Sequence, residues 1–272
     1  MLRTEMRNTA TTHIDTASTQ EMLHLIQNEN LYAVNAVGNA IPYIVKACDA
    51  IEKIMKKGGR LIYIGAGTSG RLGIIDATEC PPTFGVEPDR VMGIIAGGKE
   101  CVFRAAEMEE DNGDAGVKDL KDVNLSSNDV VVGISANGNA AYVINALKYA
   151  QSLGCETVGV TSNDGTLLSS TAKYPIITDT GAEAVTGSTR MKAGTAQKLV
   201  LNMLSTVAMI KLGNVYENLM INLKAKNKKL LVRMVNIVVE ILKISEEEAK
   251  NILELNDWNI REAIEYYKRK NL

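Results

Sequence analysis

A short apolar segment, residues 61–64, passes directly into a glycine-rich turn at residues 65–70. This join is typical of α/β proteins, in which a buried parallel strand ends at a loop and a helix begins immediately after it. The first N–H groups of such a helix point toward the loop and favour a bound anion. The turn also contains the hydroxyls of Thr68 and Ser69, which suit a sugar phosphate. We therefore predict that Gly67, Thr68 and Ser69 bind phosphate.

The same glycines also match the G-x-G-x-x-G pattern of dinucleotide-binding folds. That interpretation requires an acidic residue at the end of the second strand, where it would bind the ribose. The second predicted strand ends instead in Gly97 and Gly98, and Glu100 comes too late. The sequence therefore disfavours a nicotinamide or flavin site.

Five short, largely apolar segments have the composition of strands in a parallel sheet that is covered on both faces. They are residues 60–65, 91–96, 129–135, 156–161 and 174–178. Segments with helical patterning alternate with them. This order predicts an α/β fold with a doubly wound, five-stranded parallel sheet.

The regions before and after the sheet are predicted to be helical. Residues 1–18 are polar and should form an extended arm, and a capping box from Ser18 to Glu21 predicts a helix start. Helical spacing then continues to Lys57, with an interruption near Pro42. We expect an N-terminal arm with helices at 1–57, a sheet domain at 58–226 and a small C-terminal helical subdomain at 227–272, which ends in two short charged helices.

Charge and composition argue against several classes of function. The net charge of −2 and the low aromatic content give no basis for binding nucleic acid or a membrane surface. The four cysteines are scattered and both histidines lie near the N-terminus, so we expect no metal site. No segment approaches the about 18 apolar residues of a membrane span, and no signal-peptide core is present at the N-terminus. We expect a cytoplasmic protein with reduced thiols.

A second polar turn, residues 135–139, follows the third predicted strand. Because the carboxyl ends of parallel strands share one edge of the sheet, this turn and the first one can hold the same ligand. Ser135, Asn137, Gly138 and Asn139 are therefore candidate phosphate ligands. For either turn alone, a tight strand–helix connection without a ligand is the alternative.

Two acidic positions are candidates for proton transfer. Glu79 precedes a stiff proline turn and lies beside an apolar wall, and we expect partial desolvation to suit it to donate a proton. An acidic run at residues 107–114 ends a predicted helix, where the helix dipole and the neighbouring like charges would raise a carboxyl pKa. Spacing alone does not select one carboxylate of this run.

A hydroxyl-rich loop at residues 181–189 leads into a long helix predicted from Met191 to Leu212. Arg190 and Lys192 stand in its first turn, where cations oppose the helix dipole, and this indicates anion binding or a role between subunits. Ser188 is the candidate ligand in this loop. The helix is apolar over much of its circumference, which predicts an obligate dimer.

Several long motifs together resemble the N-acetylmuramic acid 6-phosphate etherases. They occupy residues 61–73, 76–85, 95–98, 129–133 and 186–206. The resemblance extends over nearly the whole chain. It implies a sugar isomerase (SIS) fold with a five-stranded parallel sheet, and a homodimer in the bacterial cytoplasm.

The resemblance also implies an activity. Members of this family are carbon–oxygen lyases that cleave the lactyl ether of N-acetylmuramic acid 6-phosphate to N-acetylglucosamine 6-phosphate and D-lactate, by elimination and then hydration, in cell-wall amino-sugar recycling. By motif, Glu79 corresponds to the proton donor and Glu110 to the second active-site glutamate, and no metal or cofactor is required. The alternatives are a lyase or isomerase for a related sugar phosphate and a non-catalytic sugar-phosphate sensor.

The turn after the third strand departs from the family pattern. The family has approximately Ala-Ala-Ser-Gly-Arg-Thr-Pro-Tyr there, whereas this chain has Ser-Ala-Asn-Gly-Asn-Ala-Ala-Tyr at residues 135–142. In SIS proteins, Ser and Thr hydroxyls of this turn bind the sugar phosphate. Asn137 still offers a donor, but Ala140 offers no side-chain hydrogen bond. We expect restored hydroxyls to tighten phosphate binding.

Overall fold

The computed structural model describes residues 1–104, 107–222 and 228–271. Within these residues the chain forms two compact units. The first comprises Met1–Thr78 and Asp89–Ala208, and the second comprises Glu79–Pro88 and Met209–Leu272. The predicted start of the C-terminal subdomain, at residue 227, lies outside the described residues.

The first unit is built on a parallel sheet. Within the described residues its strands are β1 (Arg60–Gly65), β2 (Val91–Ile95), β3 (Asp129–Ile134), β4 (Glu156–Thr161) and β5 (Tyr174–Ile177). Their order is β2-β1-β3-β4-β5, and each neighbouring pair is parallel. The five predicted strands are confirmed, to within one residue at each end. The central strand β3 is buried along its whole length, which explains its continuous apolar sequence.

Helices connect and flank the strands. Those described are α1 (Thr19–Met55), α2 (Gly67–Phe84), α3 (Glu100–Phe103), α4 (Gly113–Asp122), α5 (Ala141–Ser152), α6 (Leu167–Thr171), α7 (Lys192–Lys211), α8 (Lys228–Leu242), α9 (Glu246–Leu255) and α10 (Ile260–Lys270). Short 3-10 segments are found at Arg3–Glu5, Thr9–Thr11, Ile14–Thr16 and Glu107–Asp111.

Side chains of β1 alternate between the two faces of the sheet. Ile62 and Ile64 lie in one apolar cluster with Val143 of α5. Tyr63 points to the opposite face, where its hydroxyl donates to Asp76 Oδ2 of α2 at 2.8 Å. Helices therefore cover both faces, and the predicted doubly wound α/β fold is confirmed.

The N-terminal arm forms short 3-10 turns that are anchored on the first unit, so the prediction of an extended arm is wrong. The Thr11 hydroxyl donates to the carbonyl of Ala184 at 2.9 Å, and Asn8 Nδ2 donates to Glu29 Oε2 at 2.7 Å. Thr4 and Thr11 are buried as a result. These hydrogen bonds join residues that are far apart in the chain, and local sequence patterns do not record them.

The first helix, α1, begins at the predicted capping box and has no interruption at Pro42. The Ser18 hydroxyl accepts from the Glu21 amide, and the Glu21 carboxylate accepts from the Ser18 amide at 2.8 Å. Pro42 has no N–H to donate to the carbonyl of Gly38, one turn earlier. One face of the helix, including Val37 and Ala40, is nevertheless fully buried, and this packing outweighs one missing hydrogen bond.

The prediction of a proline turn after Glu79 is also wrong. The helix α2 continues to Phe84, with Pro81 and Pro82 in its last turn. It ends when the amide of Gly85 donates to the carbonyl of Pro81 at 2.9 Å. Gly85 has a φ of +69°, the left-handed conformation that commonly follows the C-terminus of a helix.

The long helix α7 is covered by its own chain. Val200, Leu201 and Leu204 have no exposed surface, and of the large apolar side chains of α7, all of which the structure describes, Ile210 is the exposed one, at 47%. Much of its apolar surface is therefore buried within the monomer, and the dimer stays a prediction.

In the second unit, α8, α9 and α10 surround their own apolar cluster, which includes Met234, Leu253 and Ile260. A short antiparallel hairpin, β6 (Val215–Tyr216) and β7 (Leu219–Met220), belongs to the same unit. The two short C-terminal helices that we predicted are confirmed. Their N-termini are capped by Ser245 and Asn259, whose side chains accept backbone N–H groups of the first turns.

A buried ion pair joins the N-terminal ends of β1 and β3. Arg60 donates from Nε to Asp129 Oδ1 at 2.9 Å and from Nη2 to Oδ2 at 2.7 Å, and Asp129 is 1% exposed. Burial acts to raise the pKa of Asp129, but hydrogen bonds from Arg60 and the Ser126 amide outweigh it, so the pKa lies below its usual value.

We expect Asp129→Asn to lower the free energy of unfolding by about 3 kcal/mol at neutral pH, because it leaves Arg60 without its counter-ion. The difference from the parent should shrink as the pH falls below about 3.9 through the depressed native pKa, because the parent then protonates Asp129 as well. Urea unfolding at a series of pH values measures this. Asp122→Asn, at an exposed pair, is the control, and an equal effect of both variants would contradict the prediction.

Candidate active site

The sheet order reverses between β1 and β3, because β2 extends the sheet on one side of β1 and β3 on the other. Ligands of open α/β sheets bind at such a point, beyond the carboxyl ends of the strands. Gly65 at the end of β1 is paired with Ile134 at the end of β3, so the two following turns start side by side.

A small pocket of about 120 Å³ lies where these two turns meet. It is lined by six of the predicted site residues, Gly67, Thr68, Ser69, Glu110, Ser135 and Asn137. Thr189, Ala140 and three further apolar residues, Ala66, Ile134 and Ala136, also line it. The structure therefore brings together the two predicted turns and one candidate acid.

Two glycines explain the shape of the first turn. Gly67 has a φ of +52°, in the left-handed region that glycine adopts without strain. A Cβ on Gly70 would come within 2.5 Å of the carbonyl oxygen of Gly65, so only glycine allows α2 to start this close to β1. The first residues of α2, Gly67, Thr68 and Ser69, therefore line the pocket, and the first N–H groups of a helix have no intrahelical acceptor.

The hydroxyl of Ser69 is held by a residue that we did not predict. Ser69 is buried and donates from Oγ to Gln197 Oε1 of α7 at 3.0 Å. Gln197 lies within the motif at 186–206, but a glutamine in a helix carries no signal that distinguishes it from a packing residue. The contact depends on the packing of α7 beside α2.

The second turn is hydrogen-bonded within itself. Asn137 Oδ1 accepts from the Ser135 hydroxyl at 3.0 Å and from the Asn139 amide at 2.9 Å, and Ser135 Oγ accepts from the Gly138 amide at 3.2 Å. Gly138 and Asn139 are not among the residues that line the pocket. Asn139 instead accepts from the amide of Leu167, so its side chain supports the loop before α6.

Glu110 is the candidate acid that lines the pocket. Glu110 is exposed as a whole, but partial desolvation of its carboxyl raises its pKa, and the negative charge of Asp111 raises it further. We predicted that the acidic run ends a helix, and this is wrong. Glu107–Asp111 form a 3-10 segment that comes before α4, and Asn112 caps the N-terminus of α4. Its carboxylates therefore lie near a helix N-terminus, and the raised pKa comes from burial and like charge.

Glu79 belongs to the second unit, near the end of α2, and its side chain is exposed. We expected the neighbouring apolar residues to desolvate Glu79 in part, and the exposure of its side chain contradicts this. Its role as a proton donor stays a prediction.

The third candidate cluster has a structural explanation at the start of α7. Lys192 is 3% exposed and forms an ion pair with the buried Glu29. The Glu183 carboxylate accepts from the amides of Lys192 and Ala193, both at 2.9 Å, and so caps the helix. Lys192 therefore does not indicate an anion site. Thr189 lines the pocket, whereas Ser188 is not among its lining residues.

Neither a metal site nor a membrane span is found in the part of the chain that the structure describes. No group of three or more His, Cys, Asp or Glu side chains there could hold a metal ion. None of the described helices is long and apolar enough to cross a bilayer.

The chain is similar to known proteins over most of its length. Models of the glucokinase regulatory protein N-terminal SIS domain and of the SIS domain match residues 43–151 and 105–207. The N-acetylmuramic acid 6-phosphate etherase of Clostridium beijerinckii is 51% identical over 263 residues, which cover 97% of this chain and 86% of that one. The protein of the same name from Escherichia coli O9:H4 is 53% identical over 261 residues, covering 96% and 88%. The chain belongs to the N-acetylmuramic acid 6-phosphate etherase family.

Solved structures confirm the SIS fold of this etherase-family chain. A phosphoheptose isomerase from Francisella tularensis matches with a TM-score of 0.52 at 15% identity, over 71% of this chain and 98% of that one. The corresponding enzyme from Neisseria gonorrhoeae has a TM-score of 0.51 at 18% identity, over 72% and 100%. At these identities the likeness shows the fold alone.

The turn that departs from the etherase pattern supplies a test of the pocket. We expect Asn137→Ser with Ala140→Thr to tighten binding of N-acetylglucosamine 6-phosphate about tenfold or more, because one hydrogen bond to a charged group contributes roughly 1.5–3 kcal/mol. The change frees the Ser135 hydroxyl from Asn137 and adds a hydroxyl at the first turn of α5. Titration calorimetry measures the affinity.

Two controls accompany this double variant. Unphosphorylated N-acetylglucosamine should gain nothing, because the turn is predicted to bind only the phosphate. The single variant Ala140→Thr shows whether the added hydroxyl caps α5, which would raise thermal stability, or binds the ligand, which would raise affinity. Equal affinity of the parent and the double variant for the phosphorylated sugar would contradict the prediction.

Proposed function

We propose that this chain cleaves the lactyl ether of N-acetylmuramic acid 6-phosphate and releases N-acetylglucosamine 6-phosphate and D-lactate, as a step of cell-wall amino-sugar recycling. The observation that carries the proposal is the position of Glu110 in one pocket with the hydroxyls of two strand-end turns. The relatives from Clostridium beijerinckii and Escherichia coli are named as etherases of this sugar phosphate, and their similarity supports the same reaction.

The phosphate binds between the two turns in this proposal. Residues of the first turn of α2 line this place, as does Ala140 at the N-terminus of α5, and Thr68, Ser69 and Thr189 add hydroxyls. Backbone N–H groups and hydroxyls together satisfy a phosphate without a cation in the pocket. The sugar then extends from the phosphate past Glu110.

The reaction needs one group that removes a proton and another that donates one. In the ring-opened sugar, a proton leaves the carbon next to the aldehyde, its electron pair forms a double bond, and the bond between carbon and the lactyl oxygen breaks. Glu110 is the base, because its raised pKa makes it a better proton acceptor than an ordinary glutamate. Glu79 donates a proton to the departing lactate oxygen. Water then adds across the double bond and restores a hydroxyl.

A non-catalytic sugar-phosphate sensor is the second candidate. The match of residues 43–151 to the glucokinase regulatory protein domain favours it, as does the replacement of hydroxyls by Asn137 and Ala140. Such a sensor would bind the phosphate in the same pocket but release no product. Release of D-lactate from N-acetylmuramic acid 6-phosphate by the purified protein separates the two functions.

We also propose that the protein is a homodimer that works in the cytoplasm. None of the four cysteines, all of which the structure describes, forms a disulfide, as in a reducing compartment. Residues 30–45 of α1 include no Asp, Glu, Lys, Arg or His, although much of this segment is exposed. Its large exposed apolar side chains include Leu31 at 55%, Val34 at 55%, Ile41 at 48% and Val45 at 50%. A second copy of this helix is the occupant we propose, since these positions repeat with the spacing of a paired helix seam.

For the catalytic roles, we expect Glu110→Gln and Glu79→Gln each to lower D-lactate release about 10²–10⁴-fold, because an amide keeps the shape of the side chain but transfers no proton. Binding of N-acetylglucosamine 6-phosphate should change little. Glu109→Gln, one residue from Glu110 and not among the pocket residues, is the matched control. Release at the parent's rate by either variant would remove that glutamate from the mechanism.

For the dimer, we expect Gly38→Arg to give a folded monomer at micromolar concentration, whereas the parent sediments as a dimer. A Cβ on Gly38 would have no atom within 4 Å outside its own stretch of helix, so we expect the change to disturb only a partner on that face. Asn251→Arg, at an exposed position of α9, is the control. A monomeric parent would refute the homodimer, and a dimeric Gly38→Arg variant would place the interface elsewhere.

A further inference from the structure

The side-chain amide of Gln197 is buried next to the proposed phosphate pocket. Gln197 is 1% exposed, and its Nε2 has no hydrogen-bond partner among the residues that the structure describes. Its Oε1 accepts the proton of Ser69 Oγ at 3.0 Å. A buried N–H donor without an acceptor is unfavourable and rare in folded proteins. Ser69, the residue that Gln197 contacts, lines the pocket.

The direction of this hydrogen bond decides what Ser69 can do. A serine hydroxyl has one proton to donate and two lone pairs that accept. While Ser69 donates to Gln197, it has no proton for a phosphate oxygen, and a phosphate ester offers only acceptors at the charged oxygens. Rotation of the Gln197 carboxamide by half a turn exchanges its oxygen and nitrogen and requires no other movement. Nε2 then donates to Ser69, and the Ser69 proton is free to point into the pocket.

We propose that Gln197 is a positioning residue, which donates from Nε2 to Ser69 Oγ and so directs the Ser69 hydroxyl proton at the phosphate of the substrate. The same rotation moves the amide nitrogen away from the place where it has no acceptor. This inference rests on the proposed function, because it concerns the phosphate that the pocket is proposed to bind.

Ser69 is important in this pocket because the hydroxyl proton of the neighbouring turn is already used. The Ser135 proton is donated to Asn137 Oδ1 at 3.0 Å. The carboxyl of Glu110 also lines the pocket and repels an anion when it is ionised. A phosphate there depends on correctly oriented donors, and each one lost weakens its binding.

The test compares Gln197→Glu with the parent across pH, with N-acetylglucosamine 6-phosphate as the probe. At neutral pH the introduced carboxylate only accepts, so it keeps the Ser69 proton away from the pocket and adds a negative charge. We expect the affinity to fall at least about tenfold relative to the parent. As the pH is lowered and the introduced carboxyl is protonated, it donates to Ser69, and the affinity relative to the parent should recover. Because Glu110 and the phosphate titrate in both proteins, the ratio at each pH is the quantity to follow.

Two further variants exclude a merely structural effect. Gln197→Met removes both polar atoms, and its loss of affinity should be independent of pH. Gln151→Glu is the matched control, since Gln151 also contacts a hydroxyl, that of Thr157 at 3.0 Å, but lies outside the pocket. It should bind the probe like the parent at each pH.

Thermal unfolding establishes that each variant is folded. In turnover, the Gln197→Glu variant should show a higher KM with a smaller change of kcat.

The outcomes separate this inference from the proposed function. If the parent prefers the phosphorylated sugar but Gln197→Glu binds it equally well at neutral pH, or its loss does not change with pH, the role of Gln197 is refuted and the pocket stands. If the parent binds N-acetylglucosamine 6-phosphate no better than N-acetylglucosamine, the phosphate assignment of the pocket is refuted, and the inference about Gln197 is refuted with it.

Discussion

The contact between the end of β1 and the start of α2 is the constraint on which the site depends. Gly65 and Gly70 allow backbone to lie against backbone there, since a Cβ on either glycine would overlap the other. The helix can therefore begin directly beyond the strand, at the point where the sheet order reverses. Its first N–H groups then face the turn after β3, and a small polar pocket results from this junction.

The carboxylates of the first unit differ in the hydrogen bonds and counter-ions that the protein provides for them. Asp76 accepts hydrogen bonds from Tyr63 and Asn202, and Glu183 caps the N-terminus of α7. Asp129 is paired with Arg60, which holds its pKa down. Glu110 is different, because burial and a like charge raise its pKa and it remains at a pocket wall. The structural carboxylates are committed to the fold, whereas Glu110 is available for proton transfer.

Predictions from the sequence succeeded where the signal lies within one turn or one strand. Apolar runs predicted the five strands, the capping box predicted the start of α1, and the glycine pattern predicted the turn before α2. Proline was misleading at Pro42, because packing of the buried face of α1 outweighs one lost hydrogen bond. It was misleading again at Pro81 and Pro82, which lie in the last turn of α2 instead of ending it. The resemblance placed Glu110 in the site, although spacing alone did not select it from the acidic run.

By itself, the sequence determined the α/β class, the strand–turn–helix junctions and the family. Only the tertiary structure decided which side chains meet. The Lys192–Glu29 ion pair and the Ser69–Gln197 hydrogen bond each join residues more than a hundred positions apart. Such contacts depend on how α7 packs against α1 and α2, and neither partner differs in the sequence from an ordinary surface or packing residue. The physical reason is that local patterns encode backbone conformation, whereas hydrogen-bond direction and burial of charge are properties of the assembled core.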